Sequence, residues 1–449
     1  MIDRSRLATL MARELESYRT RNPRSLAAYQ SATSLFGSVP MTWMNKSAGG
    51  FPLYLSKAKG AHVEDLDGHD LIDFCLGDTG AMAGHSPAAT VAAVEQRFAE
   101  LGGATAMMPS EDAAWVGAEL ARRFGLPFWS FALTGTDANR WAIRLARAVT
   151  GRPKILFHNY CYHGSVDESL IVIGPDGEGI SRPGNVGAPV DVTVTSRVVE
   201  YNDLAGLERQ LAHGDVAAML MEPALTNIGI VLPNDGYLAG VRELTRKHGT
   251  LLINDETHTF SAGPGGCTQA WGLAPDMLTI GKAIAGGIPA AAYGLSEELA
   301  NKIARRSDLD LIDVGGVGGT LAGNVLSVAA TRATLEHVLT DEAFDAMSGL
   351  SERFAGGVRR IIDRYELPWS ITRLGARSEY RFVRQPSNGG ESNASADAEL
   401  EDFIHVYLAN RGVLLTPFHN MALMCPATTP EDVAQHHEAF EKCIGDLVG

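Results

Sequence analysis

Apolar residues along this chain keep two rhythms. Short, nearly unbroken apolar runs occur at 131–133, 155–157, 216–221, 251–253 and 277–280. Several stop abruptly in glycine or polar groups, at Thr134-Gly135, Glu222-Pro223, Asn254-Asp255 and Gly281-Lys282. An apolar run of about four to eight residues with such ends suits a strand buried on both faces. Between the runs, apolar positions recur at helical spacing. One helix is expected from about Thr136, with Trp141, Leu145, Ala146 and Val149 on its apolar face and Gly151 as its stop. Another runs from Tyr237 to His248 and ends at Gly249, and others are expected near 4–20, 87–101, 324–339, 341–365 and 431–447. Segments 61–67 and 69–75 read as two strands joined at Asp67-Gly68, a hairpin signal, and a further strand is expected near 380–383. The polar stretch 385–398 reads as a surface loop.

Alternation of strand, loop and helix predicts an α/β fold with a mostly parallel, doubly wound sheet. In such sheets a ligand sits at the C-terminal strand ends, where Gly135, Glu222, Asp255 and Lys282 all fall. A chain of 449 residues is long enough for more than one domain. The expected division is an N-terminal segment 1–75, a large domain 76–330 and a C-terminal segment 331–449.

Composition narrows the function classes. A formal charge of −15, from 38 basic and 53 acidic residues, argues against a nucleic-acid or anionic-membrane partner. Five scattered cysteines without CxxC spacing point to a reducing, cytoplasmic setting and no structural zinc. No apolar run approaches a membrane span, and the start Met1-Ile-Asp-Arg-Ser-Arg lacks the apolar core of a signal peptide.

Lys282 and Asp255 carry the candidate chemistry. A buried lysine beside a buried aspartate is costly unless the charges are paired or used. A structural ion pair is one reading. The other is pyridoxal phosphate held by a Lys amine as a Schiff base, with a carboxylate keeping the pyridine nitrogen protonated. Gly281-Lys282 is not a P-loop, because position 276 is Asp and Ala283 follows the lysine. The Thr134-Gly135-Thr136 junction aims backbone N–H groups and a hydroxyl at one point, a natural phosphate site or an ordinary capped helix. Tyr162 can stack on a planar ring, whereas His158, Cys161 and His163 do not all face one way along a strand, against a shared metal. The glycine-rich loop 313–324 carries Thr320, as a flexible connection or as a hydroxyl brought to a phosphate. Val39–Met44 is apolar but irregular, either packing or an aromatic wall over a pocket.

In their order and spacing, Gly-Thr-Asp-Ala at 135–138, Tyr-His-Gly at 162–164, Glu-Pro at 222–223, Asp-Glu-Thr at 255–257, Gly-Lys at 281–282 and Gly-Thr at 319–320 resemble the class III, fold-type I pyridoxal-phosphate aminotransferases. Within them the resemblance is to the branch that includes glutamate-1-semialdehyde aminomutase, and it runs from about residue 50 to the C-terminus. It implies a large cofactor-binding domain and a smaller α+β domain built from the N- and C-terminal segments. It also implies pyridoxal 5′-phosphate as cofactor, with Lys282 as the Schiff-base lysine and Asp255 on the pyridinium nitrogen. Tyr162 would lie on the ring face, Gly135 and Thr136 at the phosphate, Glu222 near the ring, and His258 near the phenolic oxygen, where relatives carry Gln or Met. Thr320 would reach the phosphate of the neighbouring subunit in a homodimer. The implied activity is transfer of an amino group from an amine, β-amino acid or amino acid donor to a keto acid or aldehyde. The alternatives are amino transfer within one substrate, as in an aminomutase, or a non-catalytic cofactor-binding protein. Residues 257–263 lack the arginine many relatives carry, as does the segment with Met41, Trp43 and Met44. Arg377 or Arg381 could substitute for it as a carboxylate binder, although an exposed structural arginine is the more ordinary reading of each. The pocket therefore reads apolar and aromatic, favouring a hydrophobic amine or β-amino acid.

Overall fold

A computed structural model describes residues 2–187, 190–312 and 314–449. Asp313, the first residue of the expected glycine-rich loop, lies outside the described residues. The chain forms two compact units. One is Ala88–Asp341 together with Pro386–Ala394; the other takes in the chain up to Pro87, Glu342–Gln385 and Ser395–Gly449. These divisions fall later than the expected 75/76 and 330/331, so the Val325–His337 helix lies in the first unit.

The first unit is built on a seven-stranded sheet. Its strands run in the order Phe128–Ala132, Ala291–Leu295, Met277–Ile280, Leu251–Asp255, Val216–Met221, Lys154–His158, Ser196–Val199. The last five are mutually parallel, and Ala291–Leu295 runs antiparallel to both of its neighbours. A short connection explains the reversal. Parallel neighbours need a crossover of a dozen or more residues, and only 281–290 join Met277–Ile280 to Ala291–Leu295. That connection carries Lys282. Every residue of Val216–Met221 and Met277–Ile280 is buried, as an apolar strand covered by helices on both faces requires.

The helix Gly135–Thr150 begins where Thr134 caps it, its side chain accepting from the Asp137 N–H, and ends at Gly151 with φ 67°. In the second unit, His62–Asp65 and Asp70–Asp73 pair antiparallel around Gly68, which takes φ 88° at the expected turn. Arg377–Arg381 pairs there with Ser370–Leu374 and Met421–Leu423.

Two local expectations are corrected. The 385–398 stretch is not simply a surface loop. Gly389–Ala394 is a helix with Gly389 and Ser392 buried, and it belongs to the first unit, with the seven-stranded sheet. A Cβ on Gly389 would stand 2.2 Å from the Asn159 carbonyl oxygen, so glycine permits the close approach. Arg377 is not exposed but 1% accessible. Its guanidinium donates to Thr79 Oγ1 at 2.7 Å and lies 3.9 Å from Asp78 Oδ1. Arg381 is half-buried and donates to Ser395 Oγ at 3.0 Å.

Candidate active site

A loop, a helix and the chain just past its own strand converge on Asp255. Its Oδ2 accepts from His163 Nδ1 at 2.8 Å and from Asn139 Nδ2 at 2.9 Å, and its Oδ1 accepts from the Thr257 N–H at 3.0 Å. Asn139 is held in turn by Thr279, whose Oγ1 donates to Asn139 Oδ1 at 2.7 Å. The register places Thr279 directly opposite Asp255 on the neighbouring parallel strand. Burial alone would raise the Asp255 carboxyl. The bond and charge of His163, with the bonds from Thr257 and Asn139, instead bring it down to about 2. Burial likewise opposes a charge on His163, but the adjacent Cys161 sulfur and the Asp255 carboxylate hold it well above its usual value. The carboxylate is the acceptor of the pair, and His163 Nδ1 is the donor that it faces.

Lys282 enters from the end of the next strand. It opens the single turn Lys282–Ala285 and adopts φ 50°, a left-handed conformation costly for a side-chain-bearing residue. Gly281 before it is closely packed: a Cβ there would lie 3.1 Å from the Gly135 nitrogen and 3.3 Å from Ala291 Cβ, so its neighbours would have to give. The sheet thus brings Gly281 against the start of the Gly135–Thr150 helix. Lys282 Nζ lies 2.8 Å from His258 Nε2.

At that helix start, the first N–H groups have no partner within the helix and its dipole is positive. Thr136 Oγ1 accepts from the Ser165 N–H at 3.2 Å. Gly164 crosses directly above it with φ 79°, where a Cβ would be 2.1 Å from that hydroxyl. Thr257 Oγ1 is buried beside Gly135 and makes no hydrogen bond of good geometry among the described residues. Glu222 is buried and accepts from Thr226 Oγ1. Glu256 is fully buried and faces away from this chemistry, accepting from Thr259, Thr268 and the Cys267 N–H.

The candidates are not all joined by direct contacts. Asp255 and the Gly135–Thr136 turn meet through Thr257, and Lys282 meets His258. Tyr162 is 40% exposed on the loop before His163, and Thr320 is exposed on the glycine-rich loop. The sequence raises His163 only as a metal ligand and within the Tyr-His-Gly motif, and does not single out Asn139. Asn139 did leave a signal, a polar residue on the apolar face of the Gly135–Thr150 helix. His158 turns elsewhere, bonding Tyr237 Oη through Nε2 at 2.8 Å.

A sequence model of the class-III aminotransferases matches residues 43–444. A glutamate-1-semialdehyde 2,1-aminomutase of Chloroflexus aggregans is 34% identical over 415 residues, covering 90% of this chain and 92% of the relative. Among solved structures, a lysine-to-alanine variant of a glutamate-1-semialdehyde aminomutase from Pseudomonas aeruginosa, in complex with PMP, is 47% identical. It superposes with a TM-score of 0.97 and covers 99% of both chains. An omega-transaminase from Sphaerobacter thermophilus is 27% identical with a TM-score of 0.85, covering 95% of this chain and 98% of its own. The chain belongs to the class-III aminotransferases, fold-type I enzymes that use pyridoxal 5′-phosphate.

Proposed function

We propose that this protein transfers an amino group from an amine, β-amino acid or amino acid donor to a keto acid or aldehyde, with its cofactor attached at Lys282. The observation that carries the reading is the buried carboxylate of Asp255, kept ionised by His163 and Asn139 at the sheet end that also presents Lys282. The donor set fits pyridoxal phosphate: a helix start for the phosphate, an anion for the ring nitrogen, an amine for the aldehyde, and the buried Thr257 hydroxyl between them. Gly135 and Thr136 would hold the phosphate, Tyr162 would cover the ring, and Glu222 and His258 would border it.

Bound pyridoxal phosphate supplies an aldehyde that condenses with amines and a ring that takes up the electrons released from a donor Cα–H bond. Asp255 would keep a proton on the ring nitrogen, with His163 and Asn139 holding its carboxylate in place. Lys282 would hold the cofactor at rest, and its amine, when free, would be the base that takes up and returns the donor's Cα proton.

A homodimer, with Thr320 reaching the neighbouring subunit's phosphate, is part of the proposal. Exposed apolar side chains in its support concentrate at Phe36, Met41, Trp43, at Phe98, Leu101, Met107, Met108, and at Ile312, Val314, Leu321. No helix among the described residues is long and apolar enough to cross a membrane. With five free cysteines, four of them buried, this supports a cytoplasmic location.

Intramolecular transfer is the second reading, favoured by the aminomutase names of the similar proteins. A panel of amines, β-amino acids and glutamate semialdehyde, added without acceptor to the cofactor-loaded protein, tests both. Bleaching of the visible band by one donor class, followed by stoichiometric consumption of a keto acid, establishes transamination. Isomerisation of glutamate semialdehyde with no acceptor consumed establishes the aminomutase. No spectral response to any donor overturns both.

A further inference from the structure

Within the proposed reaction, and resting on it, we infer that His258 is the catalytic proton acceptor for Lys282. The sheet builds their contact. His258 lies just past the Leu251–Asp255 strand and Lys282 just past the adjacent Met277–Ile280 strand, and the two side chains meet at 2.8 Å between Nε2 and Nζ. His258 is 8% exposed, and Lys282 is half-buried and pinned at φ 50°.

A hydrogen bond between two nitrogens needs one proton and one lone pair. A neutral imidazole has such a lone pair on Nε2, placed to accept from Nζ–H. The proposed reaction needs a lone pair on Nζ twice, to capture the cofactor aldehyde and to take the donor Cα proton. His258 provides it. The Nζ–H bond breaks, an Nε2–H bond forms, and the electron pair stays on Nζ; the reverse step returns the proton. A Gln or Met at this position has no basic nitrogen with which to do so.

The test is covalent capture of pyridoxal phosphate by the cofactor-free protein, quenched with borohydride at timed intervals and quantified as the labelled Lys282 peptide by mass spectrometry. Capture is expected to slow by about 10²-fold in His258→Ala. It should be as slow in His258→Gln, which keeps a hydrogen-bonding side chain without a basic nitrogen. Added imidazole should restore the alanine variant and leave Lys282→Ala unlabelled at that position. A glutamine variant that captures at the wild-type rate overturns the inference, and it decides the matter alone if the alanine variant does not fold. Absence of label at Lys282 in the unaltered protein overturns the proposed function instead.

Discussion

Asp255 is an anion in a dry site because three donors surround it. Removing donors should therefore damage both folding and chemistry. His163→Phe leaves a buried carboxylate without its closest donor, a loss of about 3–5 kcal/mol, read as a lowered urea midpoint. Asn139→Ala removes one neutral bond and should cost about 1–3 kcal/mol. Asp255→Asn keeps much of the shape but removes the charge. It should slow the donor half-reaction by about 10²–10³-fold while leaving Lys282 able to capture the cofactor. An asparagine variant at full speed would show that the ring nitrogen needs no anion. The strand-end placement of Asp255 and Lys282 was legible in the sequence because each follows an apolar run. His163 was not, because a histidine in a Tyr-Cys-Tyr-His-Gly loop shows no pattern that separates a buried donor from a turn residue.

The elements around the site are tied by glycines at two close approaches. Gly164→Ala would bring a Cβ to 2.1 Å from Thr136 Oγ1 at φ 79°, and Gly281→Ala would push on the Gly135 nitrogen at 3.1 Å. Each should destabilise by about 1–3 kcal/mol and weaken cofactor retention, Gly164→Ala more because its backbone angle is also strained. Dialysis against buffer, followed by the visible spectrum, reads the retention. An alanine variant that keeps its cofactor as well as the parent would show that these contacts do not shape the site. The central strands were readable because parallel strands covered on both faces keep only apolar residues, as in Val216–Met221. The Gly389–Ala394 helix was not, because it is held by close backbone approach and polar bonds rather than by an apolar stripe. Ser392 donates to the Ile228 carbonyl, and Gly390 N–H to Glu200 at 3.4 Å. The antiparallel course of Ala291–Leu295 lay in loop length, which strand patterning does not carry.

Across the whole molecule, three buried histidines that are held neutral weaken the fold in acid. Burial lowers His158 to about 3 and His405 to about 4, and holds His436 well below its usual value. His436 sits among Phe74, Phe354 and Phe440, and among the described residues neither of its ring nitrogens has a hydrogen-bond partner. In the unfolded chain each titrates near 6.5, so the unfolded state binds more protons below that pH. Their contribution to stability is complete above about pH 6.5 and is lost as pH falls toward the lowered folded values. Each contributes a slope of up to about 1.4 kcal/mol per pH unit. Urea midpoints should therefore fall steadily from pH 6.5 to 5, and His436→Phe should flatten the decline. A flat profile would contradict the assignment of these side chains as neutral core residues.

The central claim is that Lys282 holds the cofactor, and reduction of the cofactor-loaded protein with borohydride followed by peptide mapping tests it most directly. The account predicts a pyridoxyl mass increment on the peptide containing Lys282 and on no other lysine, together with loss of the visible band. A stable increment on a different lysine, or none at all with the cofactor present in excess, would contradict it.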